Sequence, residues 1–437
     1  MEWQMALLTI LGSFFILLLS GMPVAFCFLI ANLIGVFLFW GGTLGLTQFI
    51  LSFRSSVATF TLLPLPLFVL MGEVMFHSGI GVLVMDTVDR WFGRLPGRLS
   101  LLAVVTSTIL ATMTGASMAS IALLGSLLVP VMKERGYDNS MSIGPIVASG
   151  PLAIMIPPTA LGVLLGAIAQ ISIGKILIAI IMPGLLIAAL YIIYIFIRCW
   201  LQPRIAPAYN VPPTSIGEKI IPTIKYVIPV GFVIFMVIGL IALGVATPSE
   251  ASATGTIAVL MLAILYGRMS WQVAKKSVSS SLQISVMMLM IIVGAIAFSQ
   301  NLGISGCSRG LAELVIKLTF SPIIILILMQ IVVLFLGCVM DPASIMMLTI
   351  PIYMPIINQL GFDPVWFAVI FLINIEVATI SPPFGLTLFV MKGVVPGDVS
   401  IGDIYRAVLP FIAINLISMG IIIGYPIVAL WLPNILQ

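Results

Sequence analysis

Prolines stand in tandem twice inside otherwise apolar sequence: Pro157 and Pro158 in ASGPLAIMIPPTALG (148–162), Pro382 and Pro383 in EVATISPPFGLTLF (376–389). Proline lacks a backbone N–H and its ring clashes with the preceding turn, so a helix entering either stretch should break and leave carbonyl oxygens without helical partners. Such carbonyls need another positive partner. A sodium ion caged in oxygens satisfies them, and the N-terminal end of the following helix offers a positive dipole end suited to a carboxylate. A single proline break is an ordinary kink in a membrane helix, and small residues near it serve close packing. Two breaks at matching positions are better read as a device that lines a site.

Four carboxylates lie in or beside apolar runs: Glu73, Glu250, Asp341 and Glu376. A carboxylate at membrane depth costs several kcal/mol unless it is paired or wet, so each is a functional candidate. Asp341 and Glu376 belong to the second broken element and are expected in the site or its scaffold. Glu250 follows Thr-Pro in ATPSEASATG, where a first-turn carboxylate caps a helix. His77, the lone histidine, reads as packing polarity, with a proton relay to Glu73 as the alternative. Cys27, Cys199, Cys307 and Cys338 stand far apart with no C-x-x-C pair, so neither a disulfide framework nor a zinc site is suggested. No nucleophile and base pair up, so an intramembrane enzyme is not expected. A channel would tolerate such breaks, but its flux would not depend on a sodium gradient.

The elements that must position these residues are helices in a bilayer. Of 437 residues, 61% are hydrophobic and 7% charged, against roughly 25% charged in a soluble domain. Apolar runs of about 20 residues recur, the length a helix needs to cross a bilayer, and the short alternating segments of a membrane barrel are absent. The first run, Met5 to Leu19, has no basic region or cleavage site before Gly21 and reads as a retained helix. Net charge +4 is loop bias, and basic and aromatic residues are not interleaved, so no nucleic acid is expected.

The chain repeats itself. Gly72 and Gly294 are 222 positions apart, as are Phe76 and Phe298. VPVMKERGYD (129–138) echoes MPIINQLGFD (354–363) at an offset of 225, as do the two Pro-Pro pairs, and SIGKI (172–176) echoes SIGDI (400–404) at 228. Two related units in a polytopic membrane protein favour a secondary transporter with its site at the repeat interface. The expected organisation is N-terminal scaffold helices (1–56), a first repeat (57–200), cytoplasmic linker loops with two scaffold helices (201–280), and a second repeat (281–437).

Basic residues orient the units. Arg90, Arg94, Arg98, Lys133 and Arg135 flank the first unit's central segment, whereas the matching NQLGFD turn has no base, so the positive-inside rule makes the second repeat inverted. Arg198, Arg204, Lys219 and Lys225 mark one cytoplasmic loop and Arg268, Lys275 and Lys276 another. Arg309 and Lys317 run against the scheme, partly offset by Glu313.

Between Leu99 and Met132 an apolar stretch turns at TMTGASMAS (112–120). It is read as a re-entrant hairpin (about 99–132), with two short full spans as the alternative, and is followed by a broken helix (about 141–170). CVMDPASIMM (338–347) marks the equivalent hairpin (about 322–357), followed by a broken helix (about 364–391). Residues 81–98, with Trp91 and Phe92 among charges, read as an amphipathic arm on the cytoplasmic surface or else a polar loop.

PLFVLMGEVM, TGASMASIALLGSLLVPVMKERGYD, IMIPPTALGV, ATPSEASA, MDPAS and NIEVATISPPFGLTLFV, in this order and spacing, resemble the large membrane subunit of the TRAP (tripartite ATP-independent periplasmic) transporters over essentially the whole chain. The resemblance implies a sodium-coupled, elevator-type symporter of organic acids in the bacterial inner membrane. Its partners would be a small four-helix membrane subunit, expected as a separate chain, and a periplasmic substrate-binding protein. It also implies one sodium site at Gly115, Ala116, Ser117, Ser149 and Gly150, and another at Asp341, Ala343, Ser344, Thr379, Ser381 and Gly385, with substrate between them beside the proline breaks. The chain departs from the family pattern with GASMAS at the first tip and SPPFG, bearing Phe384, at the second break, which bears on substrate identity more than on ion coupling. A self-sufficient sodium/organic-anion symporter without a binding protein is the nearest rival reading.

Overall fold

The computed structural model describes the chain except residues 1, 94, 115–116, 210–214, 318–319, 338–339, 384, 398 and 437, and gives backbone only for 57, 111–114, 119 and 316. The described residues are helical, with no strand among them. Three helices open the chain: α1 (Trp3–Leu19), α2 (Val24–Phe39) and α3 (Thr43–Val57). Next come α4 (Pro64–His77) and α5 (Ile80–Asp89), then the mutually packed pair α6 (Arg98–Thr114) and α7 (Ser117–Glu134). Short pieces follow, α8 (Asn139–Ser142), α9 (Gly144–Ser149), α10 (Leu152–Met155), α11 (Ala160–Ala169) and α12 (Ile173–Ala179), before the long α13 (Ile181–Leu201).

A π-helical turn, Thr223–Val227, joins α14 (Ile216–Pro222) to α15 (Ile228–Ala242). After α16 (Pro248–Leu265) comes α17 (Trp271–Ile304), then α18 (Cys307–Lys317), α19 (Pro322–Leu336) and α20 (Pro342–Gln359). The chain ends with α21 (Pro364–Ile380), α22 (Leu386–Val394), α23 (Ile401–Gly424) and α24 (Ile427–Leu436). Among the described residues six helices are long and apolar enough to cross a membrane, or seven if the bent pair Asn139–Met155 and Ala160–Ala169, which meet at 44°, is one span.

Some positions 225 apart share local geometry. Gly136 and Gly361 both take positive φ (77° and 74°) at the ends of α7 and α20, a conformation glycine adopts without penalty. Two residues on, Asp138 accepts from the Ser140 N–H (2.8 Å), and Asp363 accepts from the N–H groups of Val365 and Trp366 (2.8 and 2.9 Å). Each aspartate thereby caps the broken element that follows. Ser172 and Ser400 cap α12 and α23 in the same way. Asp363→Ala is expected to lower stability by about 1 kcal/mol, read as an earlier thermal unfolding midpoint in detergent. An unchanged midpoint would mean that water serves those donors equally well.

Long-range packing crosses between the units. α4 lies on α17 and α13 on α23, while α7 packs on α22 and α20 packs on α11. Glu250 forms the expected capping box with Thr247 at the start of α16. His77 Nε2 lies 3.2 Å from Glu73 Oε2, beside Ser280 of α17. The surface arm is shorter than the sequence suggests. Regular helix covers Ile80–Asp89, burying Ile80, Val84, Met85 and Val88, and the stretch through Pro96 and Gly97 (φ 71°) to α6 is non-helical where described. Trp91 stands past its end, its indole N–H donating to the Thr223 hydroxyl (2.8 Å).

Candidate functional site

The first break runs from Ser149 to Thr159. α9 ends at Ser149, α10 at Met155, and the backbone is extended at Ile156 (φ −115°, ψ 111°) and Thr159 (φ −125°, ψ 129°), with the Pro157-Pro158 bond cis between them. Ser149 is fully buried, its hydroxyl 3.4 Å from the Ile146 carbonyl. Gly150 lies against the start of α7: a Cβ placed on it would stand 2.4 Å from Ile121 Cγ1 and 3.2 Å from the Ser117 carbonyl. Ser117, Ser149 and Gly150 are therefore brought together, while Gly115 and Ala116 lie outside the described residues. Thr159 at the break, and Thr106 and Ser107 on α6, which packs on α9 and α10, are buried hydroxyls with no hydrogen-bond partner among the described residues.

The second break is denser in oxygen. α21 ends at Ile380, the backbone turns extended at Ser381 (φ −82°, ψ 130°), and α22 begins after Gly385, with the Pro382-Pro383 bond cis. Thr379 and Ser381 donate their hydroxyl protons to the carbonyls of Glu376 (2.7 Å) and Val377 (2.8 Å), and Thr387 donates to the Thr379 carbonyl (2.6 Å). A hydroxyl whose proton is held by backbone turns its lone pairs outward, as a cation requires. A Cβ on Gly385 would lie 2.6 Å from the Thr379 carbonyl oxygen and 2.9 Å from that of Ser381, so only glycine lets these oxygens crowd together. Phe384 lies outside the described residues.

The neighbouring α19–α20 turn reaches this break through Gly337, where an added Cβ would stand 2.2 Å from Ala378 Cβ. Asp341 caps α20: one carboxylate oxygen accepts from the Ser344 N–H (3.2 Å), the other from the Ser344 hydroxyl. Ala343 and Ser344 are buried behind it. The donor set at both breaks is oxygen throughout, carbonyl and hydroxyl with one carboxylate nearby, which fits a hard monovalent cation rather than a soft metal.

Glu376 takes a different place from the break itself. It is fully buried, with Oε1 at 3.5 Å from the Tyr191 hydroxyl, which donates to Asn415 Oδ1 (2.7 Å). This polar island joins α13, α21 and α23 and braces the second break from behind.

Several residues near the breaks are not among the candidates singled out from sequence. Asn374, fully enclosed, donates to the carbonyl and side-chain oxygens of Gln330 on α19 (2.6 and 3.0 Å). The offset of 225 could have found it, since it is the counterpart of Ser149. Thr387 and Gln330 carry no such signal in sequence, because a lone polar residue in an apolar run does not reveal which neighbour it faces, and Thr106, in the run Thr106-Ser107-Thr108, gives no sign of which of the three faces the break.

An all-helical membrane protein with an internal repeat, each unit broken at a tandem proline and lined there with buried oxygens, has the architecture of a membrane transporter. Residues 11–428 match the model of the family described as the tripartite ATP-independent periplasmic transporter, DctM component, and the chain belongs to that family as a TRAP large (M) subunit. It is 31% identical over 376 residues to the C4-dicarboxylate TRAP transporter large permease protein DctM of Pseudomonas aeruginosa (86% of each chain). To the sialic acid TRAP transporter large permease protein SiaM of Vibrio cholerae it is 25% identical over 420 residues, with 96% of each covered. Among solved structures it shares its fold with the Alcanivorax borkumensis YdaH transporter (TM-score 0.62, 15% identity, 87% of each chain). The fold also matches Neisseria gonorrhoeae MtrF (TM-score 0.61, 16% identity, 88% of this chain and 83% of that one). The matched family is tripartite, so the reading as a symporter without a binding protein is not carried further.

Proposed function

We propose that this chain is the permease of a sodium-coupled TRAP transporter that imports an organic acid across the bacterial inner membrane by an elevator motion. A periplasmic substrate-binding protein delivers the acid, and a small four-helix membrane subunit completes the complex. The observation that carries the reading is the pair of proline breaks whose hydroxyl protons or glycine gaps leave oxygens facing one another. The relatives' substrates, C4-dicarboxylates and a sialic acid, support a carboxylate as cargo. In this reading α6–α7 and α19–α20 are re-entrant hairpins of inverted repeats. Each hairpin's second arm rests on the other unit's post-break helix, so the two ion sites travel as one body while α2, α4, α16 and α17 stay as scaffold.

The test is uptake of radiolabelled dicarboxylate and sialic acid into vesicles carrying the complete transporter, with and without its binding protein and a sodium gradient. Uptake is expected only when both are present; robust uptake by this chain alone would overturn the reading. Ser149→Leu and Ser381→Leu each place a bulky side chain among the oxygens and are expected to abolish sodium-dependent uptake with membrane insertion intact. Wild-type sodium dependence in both variants would refute the assignment of the sites.

A further inference from the structure

The helix that runs from Ile216 to Ala242 through the π-helical turn has 27 residues, yet little of it is buried in the protein. At 1.5 Å per residue it is about 40 Å long, against a hydrocarbon core of about 30 Å, so upright it would stand roughly 10 Å outside the core. The first three turns carry Lys219 and Lys225, which places them at the face the positive-inside rule assigns to the cytoplasm. On those same turns Ile216, Ile220, Ile221 and Ile224 are all exposed. An exposed Lys225 and a half-buried Lys219 beside exposed isoleucines on one segment suit the boundary between headgroups and acyl chains, not free water.

The segment is also tied to its surroundings. Ser215 and Glu218 start it with a capping box, and the Tyr266 phenol at the end of α16 donates to the Lys225 carbonyl. On its other side Arg90 donates to the Glu218 carbonyl (3.2 Å) and Trp91 to the Thr223 hydroxyl. Both residues follow directly on α5, and Asp89 at the end of α5 forms an ion pair with Arg98 at the start of α6 (2.7 Å). Whatever holds residues 216–225 therefore holds the arm that leads into the first hairpin.

We infer that residues 216–225 bind anionic phospholipid of the cytoplasmic leaflet through Lys219 and Lys225, and that this contact anchors the arm formed by α5 and Trp91. Charge complementarity decides the occupant, since the exposed Lys225 and the half-buried Lys219 match a leaflet rich in phosphatidylglycerol and the exposed isoleucines match its acyl boundary. The consequence for transport rests on the proposed function; the lipid contact does not.

The experiment follows thermal unfolding of the full chain in phosphatidylcholine micelles with and without phosphatidylglycerol. The anionic lipid is expected to raise the midpoint by several degrees in the wild type and by less than half as much in the Lys219→Gln/Lys225→Gln double variant. An equal shift in both overturns the inference and would leave a protein partner as the occupant of this face. Raising salt from about 0.1 M to about 1 M shortens the Debye length from about 10 Å to about 3 Å and should remove the wild-type shift; a salt-insensitive shift also overturns it. Should the double variant unfold early in phosphatidylcholine alone, the wild-type salt series decides the matter. In vesicles carrying the complete transporter, phosphatidylglycerol is then expected to raise uptake several-fold for the wild type and little for the variant. A chain that transports no organic acid at all would sink the functional reading while leaving the thermal result standing.

Discussion

Gly385→Ala is expected to reduce sodium-driven uptake by roughly a hundredfold, as misplacement of a binding group by about 1 Å can, with the protein still inserted and folded. The reason is close approach rather than backbone conformation, since Gly385 sits at an ordinary φ of −52°. Its missing Cβ leaves room for the carbonyl oxygens of Thr379 and Ser381, at 2.6 and 2.9 Å from where that atom would be, and for the Ser381 nitrogen at 3.0 Å. All three are backbone atoms and cannot swing aside. The Thr379 carbonyl is further held by the Thr387 hydroxyl, and the Ser381 carbonyl by the Gly385 N–H at 3.0 Å, so pushing them apart dismantles the whole break. Gly393→Ala is the control: it lies on the same half-helix with nothing within 4 Å, and its uptake should match the wild type. Wild-type initial rates in Gly385→Ala would show that the break tolerates a wider spacing and would remove it as an ion site.

Gly337→Ala is expected to abolish uptake as well, for a reason that can be reversed. Its new methyl group would stand 2.2 Å from Ala378 Cβ and 3.1 Å from Ala378 Cα, so α19 and α21 must separate where the α19–α20 turn meets the residue preceding Thr379. Ala378→Gly removes the nearer of the two obstacles. The double variant should therefore recover a substantial share of the uptake that the single variant loses. Residues in contact couple in this way, and the coupling is the quantity the comparison reads. No recovery in a double variant that inserts normally would mean that Gly337 matters for something other than this contact.

These two glycines illustrate how unevenly the site could be read from sequence. The proline pairs, the left-handed Gly136 and Gly361 and the capping aspartates Asp138 and Asp363 act within a few residues of themselves, so their types and spacing predict their geometry. Glu250 was legible for the same reason, as a first-turn carboxylate after Thr-Pro. Gly337 and Gly385 were different. Gly385 entered only through family resemblance, and Gly337 not at all, because a glycine in an apolar run gives no sign of which distant atom will press on it. Glu376 was legible as a buried carboxylate of the second element but not as the partner of Tyr191 and Asn415, which lie 185 and 39 positions away. The arm's charge pattern runs through Arg98 while its regular helix stops at Asp89, so the sequence pattern alone did not tell helix from loop beyond it.

By itself the sequence determined the bilayer as solvent, the helical class, the two related units and the places where a helix must break. Each of these follows from local chemistry: apolar length, the missing proline N–H, capping groups, and a constant offset. Only the tertiary structure decided that α7 rests on α22 and α20 on α11, which hydroxyls spend their protons on backbone, and which glycines are narrow because a carbonyl or a methyl group stands where their side chain would be. Those facts depend on pairs of residues far apart in the chain, and their contact is set by how the whole bundle packs.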